Sequence, residues 1–279
     1  MKRNYTGVLE YTDGSSPTWQ AMACRNADVP VLNRILLDIP EEEAATLRPF
    51  LEFRRLPART VLHEPGQAIE AAYFLESGLA SLVVPTSEGE SVEAGVVGAG
   101  GFVGIPLLFG TSASLVQTIV QISGSGWSIA AEHLVRLLPD LPRLRAKMNR
   151  YSLMQGMLMA QNSACNRLHE LQQRLARWLL NATDLVGPEF EITQENLAQM
   201  LGTGRASLSV TSSRIRKAGI LSIRRGWWRI LNRGGLELLS CECYGVERGL
   251  RQQVEAEQGE PFGSKWNNSP KDNVARSVR

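Results

Sequence analysis

The sequence has few cysteines, no long apolar run and, over one stretch, no acid at all. Four cysteines, at 24, 165, 241 and 243, stand among 279 residues. They are too few and too scattered for a disulfide framework, so a reducing, cytoplasmic setting is expected. Nothing approaches the roughly 18 apolar residues of a spanning helix. The stretch from Met1 to Glu10 carries no apolar core of a secretory leader, so no membrane partner is expected. A phosphate-loop pattern, a paired nucleophile and base, and a cluster with metal-ligand spacing are also missing, which argues against an enzyme and against a metal site. Gly98-Ala-Gly-Gly101 reads as a turn rather than a nucleotide cradle.

The missing acid is the informative absence. Net charge is only +2, but its distribution is uneven. From Asp38 to Glu132 there are 12 acidic and 4 basic residues, a net of −8. From Thr203 to Arg233 there are 8 basic residues and no acidic one. Such asymmetry predicts that the second region meets a polyanion and the first does not.

The texture of the chain changes along its length. Residues 1–30 are rich in turn formers (Asp13, Gly14, Ser15, Ser16, Pro17) and read as a loose arm. Asn33 to Phe53 reads as helical, with Pro40 and Glu41, Glu42 and Glu43 opening a helix as the macrodipole favours. Short apolar runs then alternate with glycines: 71–75, 80–84, 92–97, 115–120 and 126–129, with turn signals at Gly66, Gly78, Gly89, Gly98, Gly101 and Gly110. That pattern predicts an all-β sandwich or roll from Arg54 to about Ile129, within a domain spanning 31–139. From Leu144 to Leu179 apolar residues recur at spacings of three and four. Leu144, Met148, Tyr151, Met154, Leu158 and Cys165 form a seam suited to a partner helix, so 140–182 is expected to be a dimerisation helix and hinge. The alternative is a helix packed on its own domain. Residues 183–245 read as a small α/β unit, and 246–279 as a polar, mostly disordered tail.

The sharpest local signal is 192–217. Thr193 is a good N-cap with Glu195 in the first turn. Leu197 and Leu201 make an apolar stripe, and Ala198 permits a close helix crossing. Gly202 supplies a left-handed cap. A second helix begins near Gly204 or Arg205, with Leu208, Ile215 and Ala218 inward. Arg205, Ala206, Ser209 and Val210 then face outward at its N-terminal end, where a recognition helix meets base edges in the major groove. Two strands, 220–223 and 228–231, follow as a wing joined through Arg224, Arg225 and Gly226. Arg224, Arg225 and Arg229 are candidates for phosphate contacts, and at least one of Trp227 and Trp228 should simply pack the hairpin. The fold class predicted is α+β.

The order of parts resembles the Crp–Fnr family, the catabolite activator and fumarate-nitrate regulators. The residues that carry the resemblance are Tyr73-Phe-Leu-Glu-Ser-Gly78, Gly98-Ala-Gly-Gly-Phe-Val-Gly104, the long helix and the winged helix-turn-helix, over about residues 33 to 240. The resemblance implies a cyclic-nucleotide-binding-like β-roll, a homodimer along the long helix, a palindromic operator in double-stranded DNA, and RNA polymerase as a partner. It also implies that Arg205 reads guanine, through paired bonds to O6 and N7, and that Thr193, Gln194 and Ser207 hold phosphates. Ala206 and Val210 stand where the family commonly has a glutamate and a second arginine, so a different operator is expected.

The same resemblance places an effector pocket at Val103, Gly104, Ile105, Pro106, Leu107, Gln117 and Thr118. Ile105 occupies the place of the ribose-binding glutamate, and no Lys or Arg lies between Arg59 and Arg136. A buried phosphate without a countercharge is costly. Ordinary cyclic-AMP binding is therefore not expected, and no cofactor is assigned. Iron–sulfur members of the family need clustered cysteines, whereas Cys24 stands alone. His63 reads as a surface residue of a turn, and His133 and His169 as ordinary helical residues. Cys241 and Cys243 read either as small packed residues or as a redox pair. The competing functions are a constitutive DNA-binding factor with a degenerate sensor, and a nucleotide-binding regulatory module with no DNA role.

Overall fold

The computed structural model describes residues 29–37, 39–86 and 91–256. The expected N-terminal arm up to residue 28, with Cys24, and the tail beyond 256 lie outside the described residues.

The chain enters through α1 (Arg34–Leu37) and α2 (Glu41–Leu47). The helical reading of 33–53 runs too far. A 3-10 turn at Arg48–Phe50, with Pro49 inside it, is followed at once by β1 (Glu52–Leu56). Pairing overrides local propensity here: β1 runs antiparallel to β6, and Phe53 sets its ring edge against Trp127 at 5.3 Å.

The roll is built from β2 (Val61–His63), β3 (Ala71–Pro85), β4 (Ser91–Val97), β5 (Phe102–Val103), the one-turn α3 (Ile105–Leu108) and β6 (Gln117–Ala130). Strand order is β1-β6-β3-β4, with β2 also on β6 and β5 on β3. The runs 71–75 and 80–84, read as separate strands, are two halves of β3. Likewise 117–120 and 126–129 belong to one β6. Gly78, read as a turn signal between strands, sits within the long β3–β6 ribbon at a series of register shifts between Leu75 and Ala80. A Cβ on Gly78 would meet the Ile122 carbonyl at 2.7 Å, and one on Gly124 the Ser77 carbonyl at 2.1 Å. These glycines let two long strands bend and cross closely rather than reverse. Phe74, Phe102, Trp127, Ile129 and Leu134 fill the interior.

After α4 (Ala131–Leu137) and a 3-10 turn come α5 (Pro142–Leu168) and α6 (Leu171–Val186). The start of α5 is fixed by Glu43, whose carboxylate accepts the Arg143 and Leu144 N–H groups at 2.9 Å. The expected seam is a correction. Leu144, Met148, Tyr151, Met154, Leu158 and Cys165 are all buried within the protomer, and the first five join the core of the roll. They cover the roll because β4 is an edge strand whose carbonyls need partners: Gln155 donates to Val96 at 3.0 Å, and Asn162 to Glu93 and Ala94 at 2.8 and 3.1 Å. The exposed apolar face of α5 is instead Leu153, Gly156, Met157, Ala160 and Ala164. The helix also breaks at His169, where Glu170 and Gln173 make a capping box that starts α6.

The C-terminal unit comprises β7 (Glu189–Glu191), α7 (Gln194–Met200), α8 (Arg205–Lys217), β8 (Leu221–Arg224), β9 (Trp227–Ile230) and α9 (Arg233–Leu239), with sheet order β7-β9-β8. Its core is Leu175, Trp178, Leu179, Leu197, Leu208, Ile215, Trp228 and Leu236. The expected tail begins too early, because α10 (Cys243–Ala256) is a helix. Tyr244 and Glu247 are buried and Leu250 and Val254 pack against the core of the roll, a narrow inward face that a mostly polar composition concealed.

Candidate DNA-binding interface and sensor site

Helix α7 begins as read. The Thr193 hydroxyl accepts the Asn196 N–H at 3.1 Å. It ends in a left-handed Gly202 at φ 56°, with Gly202 N–H bonded to Gln199 O and Thr203 N–H to Ala198 O, each 3.0 Å. These two bonds are a Schellman cap, which fixes the turn into α8. Helix α8 closes the same way at Gly219, with Ile220 N–H bonded to Ile215 O. Leu208 and Ile215 face the core as read, but Ala218 is exposed and Ser212 takes the third inward position.

The outward face is as expected. Arg205, Ala206, Ser207, Ser209 and Val210 are exposed at the N-terminal end of α8, with Val210 54% accessible. Arg214, Arg216 and Lys217 are exposed at the other end, where they complement the helix dipole. The wing turn places Arg225 at φ 50° and Gly226 at φ 86°, a two-residue turn with both centres left-handed. Arg224 and Arg225 are exposed. Arg229 is not available in the same way, because Glu189 on the neighbouring strand holds its guanidinium through bonds of 2.7–2.9 Å. Trp228 is fully buried and donates to Ile192 O at 2.9 Å, whereas Trp227 is 47% accessible. Thr193 and Gln194 are half-buried. Thr193 and Trp227 line a cleft of about 600 Å³ between this unit and the roll, opposite Arg59, Glu76 and Gln121.

In the roll, Gly104 turns at φ 123° and leads into α3, with Ala72 so close that any Cβ would press on it at 3.0 Å. Val103 and Leu107 are buried in the apolar core, with Ile105 packed against it and Pro106 beside it in the same turn. Thr118 is buried between β2 and β3. Gln117 donates to the Glu64 carboxylate at 2.9 Å, so an acid stands beside this region. His63 is a correction: it is buried, bonds to Ala71 O at 2.8 Å, and burial pulls its pKa down. His133 is partly exposed and sits against the Phe50 ring at 4.7 Å.

Two groupings were missed in the sequence. The first is a buried polar joint. Glu93 of β4 accepts from Ser81 at 2.5 Å and from the Trp178 indole at 2.9 Å, and burial pushes its pKa up to about 7. Beside it Arg177 is bonded to Glu247 and Asn162, and Asn181 donates to Glu247 at 2.5 Å. This joint links β4, α5, α6 and α10. The second is Cys165, His169, Cys241 and Cys243, whose ligand atoms all lie within 4.8 Å of one another.

With the geometry in place, comparison with known proteins defines the class. Residues 53–140 match the cyclic nucleotide-binding domain, and residues 173–239 match the Crp-like helix-turn-helix domain. Solved structures share the fold. A transcriptional regulator of the Crp/Fnr family from Eubacterium rectale aligns at TM-score 0.59 and 18% identity, over 72% of this chain and 95% of its own. FixK2 from Bradyrhizobium japonicum aligns at 0.58 and 15%, over 68% and 98%. The c-di-GMP responsive global regulator CLP of Xanthomonas campestris aligns at 0.56 and 19%, over 68% and 99%. No curated protein matches the chain.

A cyclic-nucleotide-binding sensor roll joined to a Crp-like helix-turn-helix defines a sensor-coupled transcription factor, not an enzyme. The chain belongs to the Crp–Fnr family of transcriptional regulators, whose helix-turn-helix units bind DNA and which typically act as dimers. Among the described residues, no helix is long and apolar enough to cross a membrane.

Proposed function

We propose that this regulator binds a two-fold symmetric DNA site as a homodimer, reads it with Arg205, Ala206, Ser209 and Val210, and does not take cyclic AMP as its signal. The observation that carries the DNA reading is the exposed N-terminal face of α8 within 31 residues (203–233) that contain no acid. Arg205 can place its fork on guanine, while Ala206 and Val210 offer only apolar contact, suited to a thymine methyl. Ser207 and the wing residues Arg224 and Arg225 suit phosphates, as do Thr193 and Gln194, half-buried at the start of α7. The exposed face of α5 around Leu153 and Met157 is suited to the dimer contact, which would set the recognition helices about one DNA turn apart.

Two features support the view of the signal. Residues 60–135 contain no Lys or Arg, and Glu64 stands against Gln117 where the resemblance puts the ligand. A cyclic phosphate there would meet a carboxylate and no Lys or Arg from residues 60–135.

The test is binding to a pool of random duplexes, followed by titration of the selected site at several salt concentrations. A palindromic site is expected, with affinity falling by a log–log slope of about 0.9 for each phosphate neutralised. Arg205→Ala should lose at least about tenfold in affinity and lose preference at one base pair per half-site. Added cyclic AMP should change neither. Selection of no sequence, or undiminished binding by the Arg205 variant, overturns the reading. A cyclic-AMP-dependent affinity overturns the part about the signal.

A further inference from the structure

The three buried cysteines do not belong to either apolar core. Cys165, Cys241 and Cys243 form a small cluster of their own. Cys165 lies one turn before the end of α5, His169 immediately follows that helix, and Cys241 and Cys243 flank the start of α10. Cys165 Sγ and Cys241 Sγ are 3.5 Å apart, and so are Cys243 Sγ and His169 Nδ1. All four ligand atoms fit within 4.8 Å.

We propose that Cys165, His169, Cys241 and Cys243 bind a single zinc ion. A tetrahedral zinc with arms of about 2.3 Å to sulfur and 2.05 Å to nitrogen separates its ligand atoms by about 3.8 Å for two sulfurs and 3.6 Å for a sulfur and a nitrogen. The two pairs at 3.5 Å lie within about 0.3 Å of that spacing, and the remaining pairs fall within 4.8 Å. The surroundings have the character of an outer shell. His169 turns Nε2 to the Glu242 carboxylate at 3.1 Å, which leaves Nδ1 facing the thiols in the tautomer a metal requires. Gln161 donates to Cys243 Sγ at 3.0 Å. Three thiolates on a divalent ion leave one negative charge on the site.

Packing alone does not call for a histidine and a glutamine around three thiols. A Cys165–Cys241 disulfide leaves Cys243 and His169 unused. A multi-iron cluster spreads its four protein ligands over two or more metal atoms, so some ligand pairs lie farther apart than the 4.8 Å that contains all four here.

Binding replaces three S–H bonds by three S–Zn bonds and releases three protons to solvent, with no change of oxidation state. The ion ties the segment after the winged unit to the end of the long helix, across the break at which the chain passes into α6. Zinc there therefore fixes the joint between the sensor and the DNA-binding unit.

The experiment uses the full chain, purified without a polyhistidine tag under reducing conditions. Metal content is measured by plasma mass spectrometry and total mass by native mass spectrometry. One zinc per chain is expected. Cys241→Ser and Cys243→Ser should each reduce zinc to well below half an equivalent, and Cys24→Ser should leave it unchanged. Chelated protein titrated with cobalt(II) should show the visible bands of a tetrahedral thiolate site and saturate at one equivalent, a readout that does not depend on how the variants fold. Metal-free protein that takes up no cobalt, iron with acid-labile sulfide, or a stable Cys165–Cys241 disulfide with no bound metal would each overturn the proposal. None of these readouts involves DNA, so the assignment of the recognition helix stands or falls separately.

Discussion

Replacing Glu93 by glutamine should change how stability depends on pH more than it changes stability itself. Glu93 is 4% accessible, and burial raises its pKa from 4.5 to about 7. Its hydrogen bonds from Ser81 and Trp178 and the nearby charge of Arg177 pull the other way without prevailing, and Glu247 adds to the rise. Because the folded pKa is the higher one, the folded chain keeps this proton over a range in which the unfolded chain loses it. The contribution is complete below about pH 4.5, declines as pH rises, and is gone above about pH 7. A shift of this size corresponds to about 3 kcal/mol, most of which falls between pH 5 and pH 8.

Glutamine is neutral at every pH, can accept the indole N–H and can donate to the Ser81 hydroxyl. Glu93→Gln should therefore match the parent near pH 5 and exceed it by about 2 kcal/mol at pH 8. Urea unfolding at fixed protein concentration, at pH 5, 6, 7 and 8, measures this directly. His63, lowered by burial, and Glu76, raised by it, also titrate, but they are common to both proteins and cancel in the difference. Parallel stability curves for variant and parent would refute the argument, because they would mean that Glu93 is ionised in the folded protein at the same pH as in the unfolded one.

Two other outcomes follow from burial. Leu153 is 58% and Met157 52% accessible, so the double change to glutamate should leave the fold intact and convert a dimer to a monomer in analytical ultracentrifugation, while Leu238→Glu, at an 89% accessible site, should not. A persistent dimer would remove this face of α5 from the interface. In the wing, Trp228→Ala should cost about 3–5 kcal/mol by opening the core of the winged unit and orphaning the Ile192 carbonyl, whereas Trp227→Ala should cost about 1 kcal/mol or less in the same thermal or urea assay.

The sequence made the ends of α7 and α8 legible because caps are local. Thr193, Gly202 and Gly204 act through residues within one turn of themselves, so their chemistry can be read without knowing the fold. The exposed face of α8 followed from helical period once those ends were known. What misled was whatever depends on distant partners. An apolar spacing of three and four on α5 says that one face is covered and not by what, and the core of the roll proved to be the cover for Leu144, Met148, Tyr151, Met154 and Leu158. Gly78 and Gly124 look alike as turn residues or as bulges, since only the opposing strand decides between a reversal and a bend. Arg229 is basic in sequence but is paired with a glutamate 40 positions away. Cys165, His169, Cys241 and Cys243 form two short pairs separated by about 70 residues, and neither pair alone supplies enough ligands for a metal. A Cys-x₃-His pair at a helix end read together with a later Cys-x-Cys is the signal that could have found them.

These distant contacts converge on one strand. β4 gives its carbonyls to Gln155 and Asn162 of α5, its Glu93 carboxylate to Trp178 of α6, and its Ser91 hydroxyl to Gln199 of α7 at 2.5 Å. Gln121 of the adjoining ribbon reaches Met200 at 3.4 Å. Apolar burial alone would let the two cores slide, because it has no preferred direction. Bonds of fixed donor and acceptor do not slide, so a shift of β4 against α5 must break this set or exchange it for another. An element with two such arrangements is what a switch between sensor and reader requires. A signal that moved the roll against α7 and α8 would have to cross β4 and the Glu93–Arg177–Glu247 joint. Substitutions there should alter how DNA affinity responds to the signal, whereas substitutions at Arg205 should alter the affinity itself.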